Sequence, residues 1–299
     1  MKTCLDCIPC FFRQALEASK LAGANPRMQR RVLNELAKVL PSFSLTASPP
    51  EMGRIIYRTV NRITGKKDPY ARIKAESNQK ALRFYPELKK RIVRSRNRLG
   101  TAVELAIIGN IIDYGVKNSL NVECELKKML RTESGSICKK NKKFYQYKRF
   151  KQALDRAKSL LYLADNAGET VFDRLLIEEI KKTDPQKQVF YAVKAGPTIN
   201  DALEKDARFC GIDRVAKIIT NGLSAPGTLL ALCRRSFLHI FHQADMVISK
   251  GQGNFESLSF APRPVFFLFM VKCPVVADHM RCPIGSIILQ HSGRGPKNG

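Results

Sequence analysis

Tryptophan is missing from this 299-residue chain, histidine occurs only four times, and acidic residues are outnumbered two to one by basic ones. Long apolar runs are missing too. The longest, Val265 to Val271, has the length of a strand, far short of the roughly 18 uncharged apolar residues a membrane-crossing helix needs, so no span is expected. The first residues, Met-Lys-Thr-Cys-Leu-Asp-Cys-Ile-Pro-Cys, hold no long apolar core and no small-residue cleavage site, so no secretory signal is expected and a cytoplasmic location is the default. With 26 Asp+Glu against 52 Lys+Arg the net charge is +26, and residues 1–150 carry 32 Lys+Arg against 12 Asp+Glu. Such a surface attracts phosphorylated small molecules and nucleic acid alike, because its far field does not select between them. The lack of tryptophan, of helix-turn-helix or finger spacing and of an aromatic-interleaved strand motif argues against a dedicated nucleic-acid module. The excess reads as a solvated face.

What is present suffices for a sizeable core: 44% of residues are apolar. Nine cysteines without a leader point to thiols, not a disulfide framework. Cys4, Cys7 and Cys10 form C-x-x-C-x-x-C. That spacing suits either a thiophilic metal lacking a nearby fourth ligand or a helix that packs small thiols inward.

From Phe11 to about Leu130 the apolar residues recur at helical spacing, broken at Pro41–Pro50 and at Gly65–Pro69. Within that stretch Asn110 and Asp113 lie three apart in a strongly apolar segment, as structural partners or as the wall of a site. The basic segment 139–151 reads as a bridge. Beyond it the pattern alternates strand and helix, with strands expected at 160–164, 188–193, 215–220, 246–249 and 265–271. The expected architecture is therefore an α/β fold with a doubly wound, mostly parallel sheet at 151–290, an all-helical domain or cap at 1–150, and a disordered tail at 291–299.

The sharpest signal is Leu160-Leu-Tyr-Leu-Ala-Asp-Asn-Ala-Gly-Glu-Thr-Val-Phe-Asp173. An unalternating apolar strand runs into a carboxylate and an amide, Gly168 breaks it, and a helix follows with Val171, Leu175 and Leu176 on one face and Glu178 and Glu179 turned away. Asp165 and Asn166 thus sit either as N-caps or in the crevice where open α/β sheets bind ligands. The later strands are followed by Lys194-Ala-Gly-Pro-Thr-Ile-Asn-Asp201, by Asn221-Gly222, and by Lys250-Gly-Gln-Gly-Asn-Phe-Glu256. In a parallel sheet these loops open on one edge. Two carboxylates, an amide, a lysine and a glycine-rich turn then converge, which suits a divalent metal plus phosphate. Hard oxygen ligands favour Mg²⁺ or Mn²⁺, and no histidine lies near these loops to build a zinc site. Gly251 and Gly253 would let backbone N–H groups approach an anion.

Leu163 to Asp173, Gly109-Asn110-x-x-Asp113, Lys250 to Glu256, Lys272-Cys-Pro-Val-Val-Ala277 and the Cys4/Cys7 pair together resemble the DUF89 family, the damage-control phosphatases, over nearly the whole chain. The resemblance implies a Rossmann-like α/β/α sandwich with an N-terminal all-helical domain, and metal-dependent hydrolysis of phosphomonoesters such as sugar phosphates. It implies that Asp165, Asn166 and Asp201 hold a divalent ion (Mn²⁺, Mg²⁺, Co²⁺ or Ni²⁺) and act with Lys250 in catalysis. It also implies that Asn110, Asp113, Glu169, Lys250, Gly251, Gly253 and Asn254 meet the phosphorylated substrate. Asp201 is expected to face Asp165 across adjacent parallel strands, with mutual repulsion unless a cation lies between them. Two other classes compete: a metal-linked protein docking its basic half on nucleic acid, and a carboxyl methyltransferase. No glycine-rich nucleoside-binding fingerprint follows the first strand.

Overall fold

The structure is a computed structural model that describes residues 1–109 and 142–293. Asn110, Asp113, Cys124, Cys138 and residues 294–299 lie outside the described residues.

Three helices open the chain: α1 (Cys7–Leu21), α2 (Pro26–Val39) and α3 (Pro49–Thr64). Local chemistry sets their ends. Asn25 caps α2 by accepting from the Met28 N–H at 3.0 Å, with Pro26 in the first turn. Ser48 and Glu51 form a capping box on α3, which stops at Gly65 in the left-handed conformation (φ 69°). Phe11, Ala15, Leu36, Met52 and Ile56 bury into one cluster between these helices.

Helices α4 (Ala71–Arg94) and α5 (Arg98–Ile108) touch that cluster only through Ile73. Their Ala81, Leu88, Ile92, Ala102 and Ile107 enter the core beneath the sheet. Most apolar side chains before residue 70 thus belong to the first cluster, and those of α4 and α5 belong mainly to the core beneath the sheet. The basic segment read as a bridge contributes the start of α6 (Tyr147–Arg156), whose Phe150 and Leu154 are fully buried in the same core. Burial of such side chains stabilises by about 1.5–3 kcal/mol each, so this segment is part of the fold, not a linker.

The sheet has six strands, β1 (Ser159–Leu163), β2 (Gln188–Val193), β3 (Lys217–Thr220), β4 (Met246–Lys250), β5 (Phe266–Met270) and β6 (Ile287–His291), in the order β3-β2-β1-β4-β5-β6. The first five are parallel, and β6 is antiparallel to β5. That last strand was not anticipated: the polar tail was expected from residue 291, yet His291 belongs to β6 and the Ser292 N–H donates to Val265 O.

Helix α7 (Glu169–Thr183) follows β1, and α8 (Glu204–Phe209), α9 (Arg235–Gln243), α10 (Gln252–Leu258) and α11 (Pro274–Met280) follow the later strands. Side chains alternate across the sheet. Leu160, Tyr162, Val189, Tyr191, Met246 and Ile248 face α7. Leu161, Leu163, Ala192 and Val247 face the opposite layer, with Phe237, Phe241, Phe255 and Leu258. Helix α7 is enclosed on both sides. Glu178 and Glu179 do turn from the sheet, but into protein: Tyr85 of α4 donates to Glu178 at 2.6 Å, and Glu179 is only 4% exposed.

Candidate active site

The strand order reverses between β1 and β4, which makes their carboxyl ends the topological switch point where sheets of this kind bind ligands. Asp165 and Asn166 leave β1 there, and Gly251 leaves β4. The segment after β2 folds back to meet them. Ala202 N–H donates to Asp165 O at 2.8 Å, Ala167 N–H donates to Asn200 O at 2.9 Å, and Asn166 and Asp201 form an antiparallel bridge. Helix α4 secures the turn: Asn78 accepts from the Gly168 N–H at 2.7 Å and donates to Asp206 at 2.8 Å. Gly168 needs its left-handed backbone here (φ 84°).

Above these residues lies a cleft of about 330 Å³. Its floor is Asp165, Asn166, Asn200, Asp201, Gly227 and Gly253; its opposite wall comes from helices α1 and α3 and the α3–α4 connection, with Phe11, Gln14, Glu17, Tyr57 and Tyr70; and Gln252, Glu256 and Lys272 close one side. A polar, acidic floor faces a largely aromatic wall.

The amide of Asn166 is oriented by two carboxylates. Its Nδ2 donates to Asp165 Oδ2 at 3.0 Å and to Glu169 Oε1 at 2.9 Å, so its oxygen is turned away from both. The Lys194 ammonium approaches Asp201 Oδ2 at 3.4 Å and donates to Gly227 O. Asp201 thus has beside it a buried lysine that the sequence reading had not singled out.

Lys250 is not where a phosphate-binding lysine is expected. It is the last residue of β4, and strand alternation carries it from Met246 and Ile248 onto the α7 face. There it is fully buried, 3.0 Å from Glu169 Oε2 and 2.7 Å from Asp173 Oδ1. Burial opposes its charge, but the attraction of Asp173 and Glu169 outweighs this and raises its pKa above the usual lysine value. Glu169 is likewise fully buried beneath Asn166. Asn254 is committed to structure: its Nδ2 donates to Ala164 O at 3.0 Å and Lys250 O at 2.8 Å, and its Oδ1 accepts from Thr228 at 2.8 Å. Among the residues expected to meet substrate, Gly253 lines the cleft, Gly251 supports it from beneath, and Asn110 and Asp113 lie outside the described residues.

Gly251 illustrates that support. A Cβ there would fall 1.9 Å from Asp165 Oδ2, and φ is +81°. Gly251→Ala is therefore expected to displace the Asp165 carboxylate and cut turnover by about 10²-fold or more, with a backbone penalty of about 1–2 kcal/mol. Parallel measurements of phosphate release and thermal unfolding check this; full activity would mean that Asp165 can move without consequence.

The cysteine trio does not assemble. Cys4 and Cys7 sulfurs are 3.7 Å apart, but Cys10 is exposed and accepts from Gln14 at 3.2 Å. Burial pushes the Cys7 thiol up to about 12. Among the described residues no three His, Cys, Asp or Glu side chains group to hold an ion. All seven cysteines among the described residues are free thiols.

Glu256 is a second residue the sequence reading passed over. Part of it meets the cleft, yet its carboxylate is enclosed; burial raises its pKa to about 7, against the opposing pull of a Gln252 hydrogen bond (2.8 Å) and the terminal ammonium. The folded state thus binds this proton more tightly than the unfolded state, whose value is 4.5. Its contribution is complete below the unfolded value and is lost as pH rises through about 7. Glu256→Gln should accordingly become more stable relative to wild type between about pH 5 and 8, as followed by melting temperature. A difference that does not change over that range would show a carboxylate that titrates alike in the folded and unfolded states.

Fold and floor together define a doubly wound α/β protein with an acidic, oxygen-donor site at its switch point. The sequence model of the damage-control phosphatase ARMT1-like domain matches residues 3–288, and the chain belongs to this phosphatase family. It is 34% identical to a damage-control phosphatase of Pyrococcus horikoshii over 96% of this chain and 97% of that one. It is 31% identical to a damage-control phosphatase of Archaeoglobus fulgidus, over 96% and 98%. The crystal structure of a DUF89 family protein from Pyrococcus horikoshii superposes with a TM-score of 0.86 at 32% identity, covering 98% of this chain and all of that one.

Proposed function

We propose that this protein is a metal-dependent phosphatase that hydrolyses phosphomonoesters of small metabolites, sugar phosphates among them. The observation that carries the reading is the meeting of Asp165, Asn166 and Asp201 on the floor of one cleft through backbone pairing between the segments after β1 and β2. The residues fit a divalent cation electrostatically. Four carboxylates (Asp165, Glu169, Asp173, Asp201) stand against two ammonium groups (Lys194, Lys250), which leaves two negative charges to be balanced.

Asp165, Asp201 and the Asn166 oxygen would hold Mn²⁺, Mg²⁺, Co²⁺ or Ni²⁺, whose chemistry when bound is to polarise a phosphoryl oxygen and offset developing charge. Lys272, at the side of the cleft, supplies a positive charge within the space the phosphate would occupy. Phe11, Tyr57 and Tyr70 face the organic part of the ester and keep bulk water from it. Glu256, whose pKa burial raises to about 7, lines the same cleft and in this reading holds a proton for a leaving alkoxide. Water is the attacking group in this reading, since a carboxylate engaged with an ion is a poor nucleophile.

Incubation with p-nitrophenyl phosphate and each of the four ions tests the proposal. Release of nitrophenol that is abolished by EDTA and restored by metal is expected. No release with any of the ions overturns it.

A further inference from the structure

Beneath the floor lies a polar cluster that the proposed chemistry does not use. Asp173 sits one turn after Glu169 on α7, so both carboxylates point to the same face of the sheet. Tyr162 of β1 and Tyr191 of β2 are register partners on that face, with ring centroids 5.4 Å apart. Their hydroxyls donate to Asp173 Oδ1 at 2.7 Å and Oδ2 at 2.8 Å. Lys250 donates to the same Asp173 Oδ1 at 2.7 Å and to Glu169 Oε2 at 3.0 Å. Glu169 Oε1 accepts from Asn166 Nδ2. Tyr162, Tyr191, Asp173, Lys250 and Glu169 are all 0% exposed.

Buried ionic clusters are costly and seldom exceed a well-packed apolar core in stability. Leucine or valine would satisfy the sheet at Tyr162 and Tyr191. What the cluster does define is a direction. An asparagine amide can be turned end for end with almost no change of shape, and only its partners decide which end faces which way. A carboxylate accepts and does not donate, so Glu169 admits the Nδ2 end of Asn166 alone. Glu169 is held in place by Lys250, Lys250 by Asp173, and Asp173 by two tyrosine hydroxyls.

We infer that Asp173, secured by Tyr162 and Tyr191, is a positioning residue that acts through Lys250 and Glu169 to fix the Asn166 amide with its oxygen towards the ion. The inference rests on the proposed metal site. It assigns a function to three residues that touch neither ion nor substrate, and it turns Lys250 and Glu169 from substrate contacts into parts of the same support.

The test measures Mn²⁺ binding by calorimetry without substrate, beside unfolding in EDTA. Wild type binds Mn²⁺; its failure to bind would remove the proposed site, and this inference with it. Asp173→Asn and the milder Tyr191→Phe are each expected to weaken Mn²⁺ by about 10-fold or more, the range found for groups that orient ligands. The decisive arm repeats Tyr191→Phe in an Asn166→Asp background, where no amide remains to orient. There the effect on Mn²⁺ affinity should vanish while any effect on melting temperature persists. Equal losses of affinity in both backgrounds, or unchanged affinity with a lowered melting temperature, would make the cluster structural only and overturn the inference.

Discussion

Asp201→Asn is expected to lower metal-dependent phosphate release by about 10²–10³-fold while the chain remains folded. The backbone that places residue 201 is independent of its side-chain charge: the bridge to Asn166 and the Ala202–Asp165 and Ala167–Asn200 hydrogen bonds all use main-chain atoms. Asparagine has the same shape, so these survive. The substitution removes one of the negative charges that a dication would balance, and replaces a carboxylate oxygen by an amide. From sequence alone, the loss of a carboxylate facing Asp165 would relieve repulsion and raise metal-free stability. The structure reverses that expectation. Lys194 lies 3.4 Å from Asp201, buried, and would lose its ion-pair partner while keeping Gly227 O. A small drop in metal-free melting temperature is expected, together with a weaker metal-induced rise. Unchanged turnover with Mn²⁺, or an unfolded variant in EDTA, would require the site to be redrawn.

The second large effect concerns stability. Lys250→Met deletes the ammonium that, among the described residues, Glu169 and Asp173 share, both fully buried, and leaves their charges facing neutral donors alone in the cluster of Asn166, Tyr162 and Tyr191. Breaking a buried ion pair from one side costs about 3–5 kcal/mol, which for a chain of this length lowers the melting temperature by of order 10 °C. The same variant separates two roles for this lysine. A phosphate-contacting lysine at the cleft surface would leave the melting temperature nearly unchanged and raise KM for p-nitrophenyl phosphate. A buried lysine beneath the floor does the opposite, and a stable variant with a raised KM would return Lys250 to the substrate.

Much of this was legible in the residues. The strand at 160–163 is buried on both faces and reads as an unbroken apolar run; the period change after residue 158 announces the switch to alternating strand and helix. Asp165 and Asn166 stand out because a carboxylate and an amide end an apolar strand, and Asp201 because the resemblance to the damage-control phosphatases marks it. The face that Lys250 takes turns on a single residue of strand. The strand was ended at Ser249, which made the lysine a loop residue; one further residue of strand gives it a face, and that face is the interior. Glu169 and Asp173 are four apart, a spacing that could have flagged a shared helix face, but nothing in one sequence says that the face meets two tyrosines.

What the sequence determined by itself is whatever depends on near neighbours: the caps at Asn25 and Ser48, the stop at Gly65, the apolar periods, and the placement of polar groups at strand ends. The tertiary structure alone decided which of those groups meet. Strand order brings β1 beside β4 and so sets Lys250 under Asn166; the fold-back after β2 sets Asp201 beside Asn166; and helices α1 and α3 supply the aromatic wall. Each of these joins residues separated by tens to hundreds of positions, where pairing is chosen by competition among whole packings of the chain, a quantity that no local pattern contains.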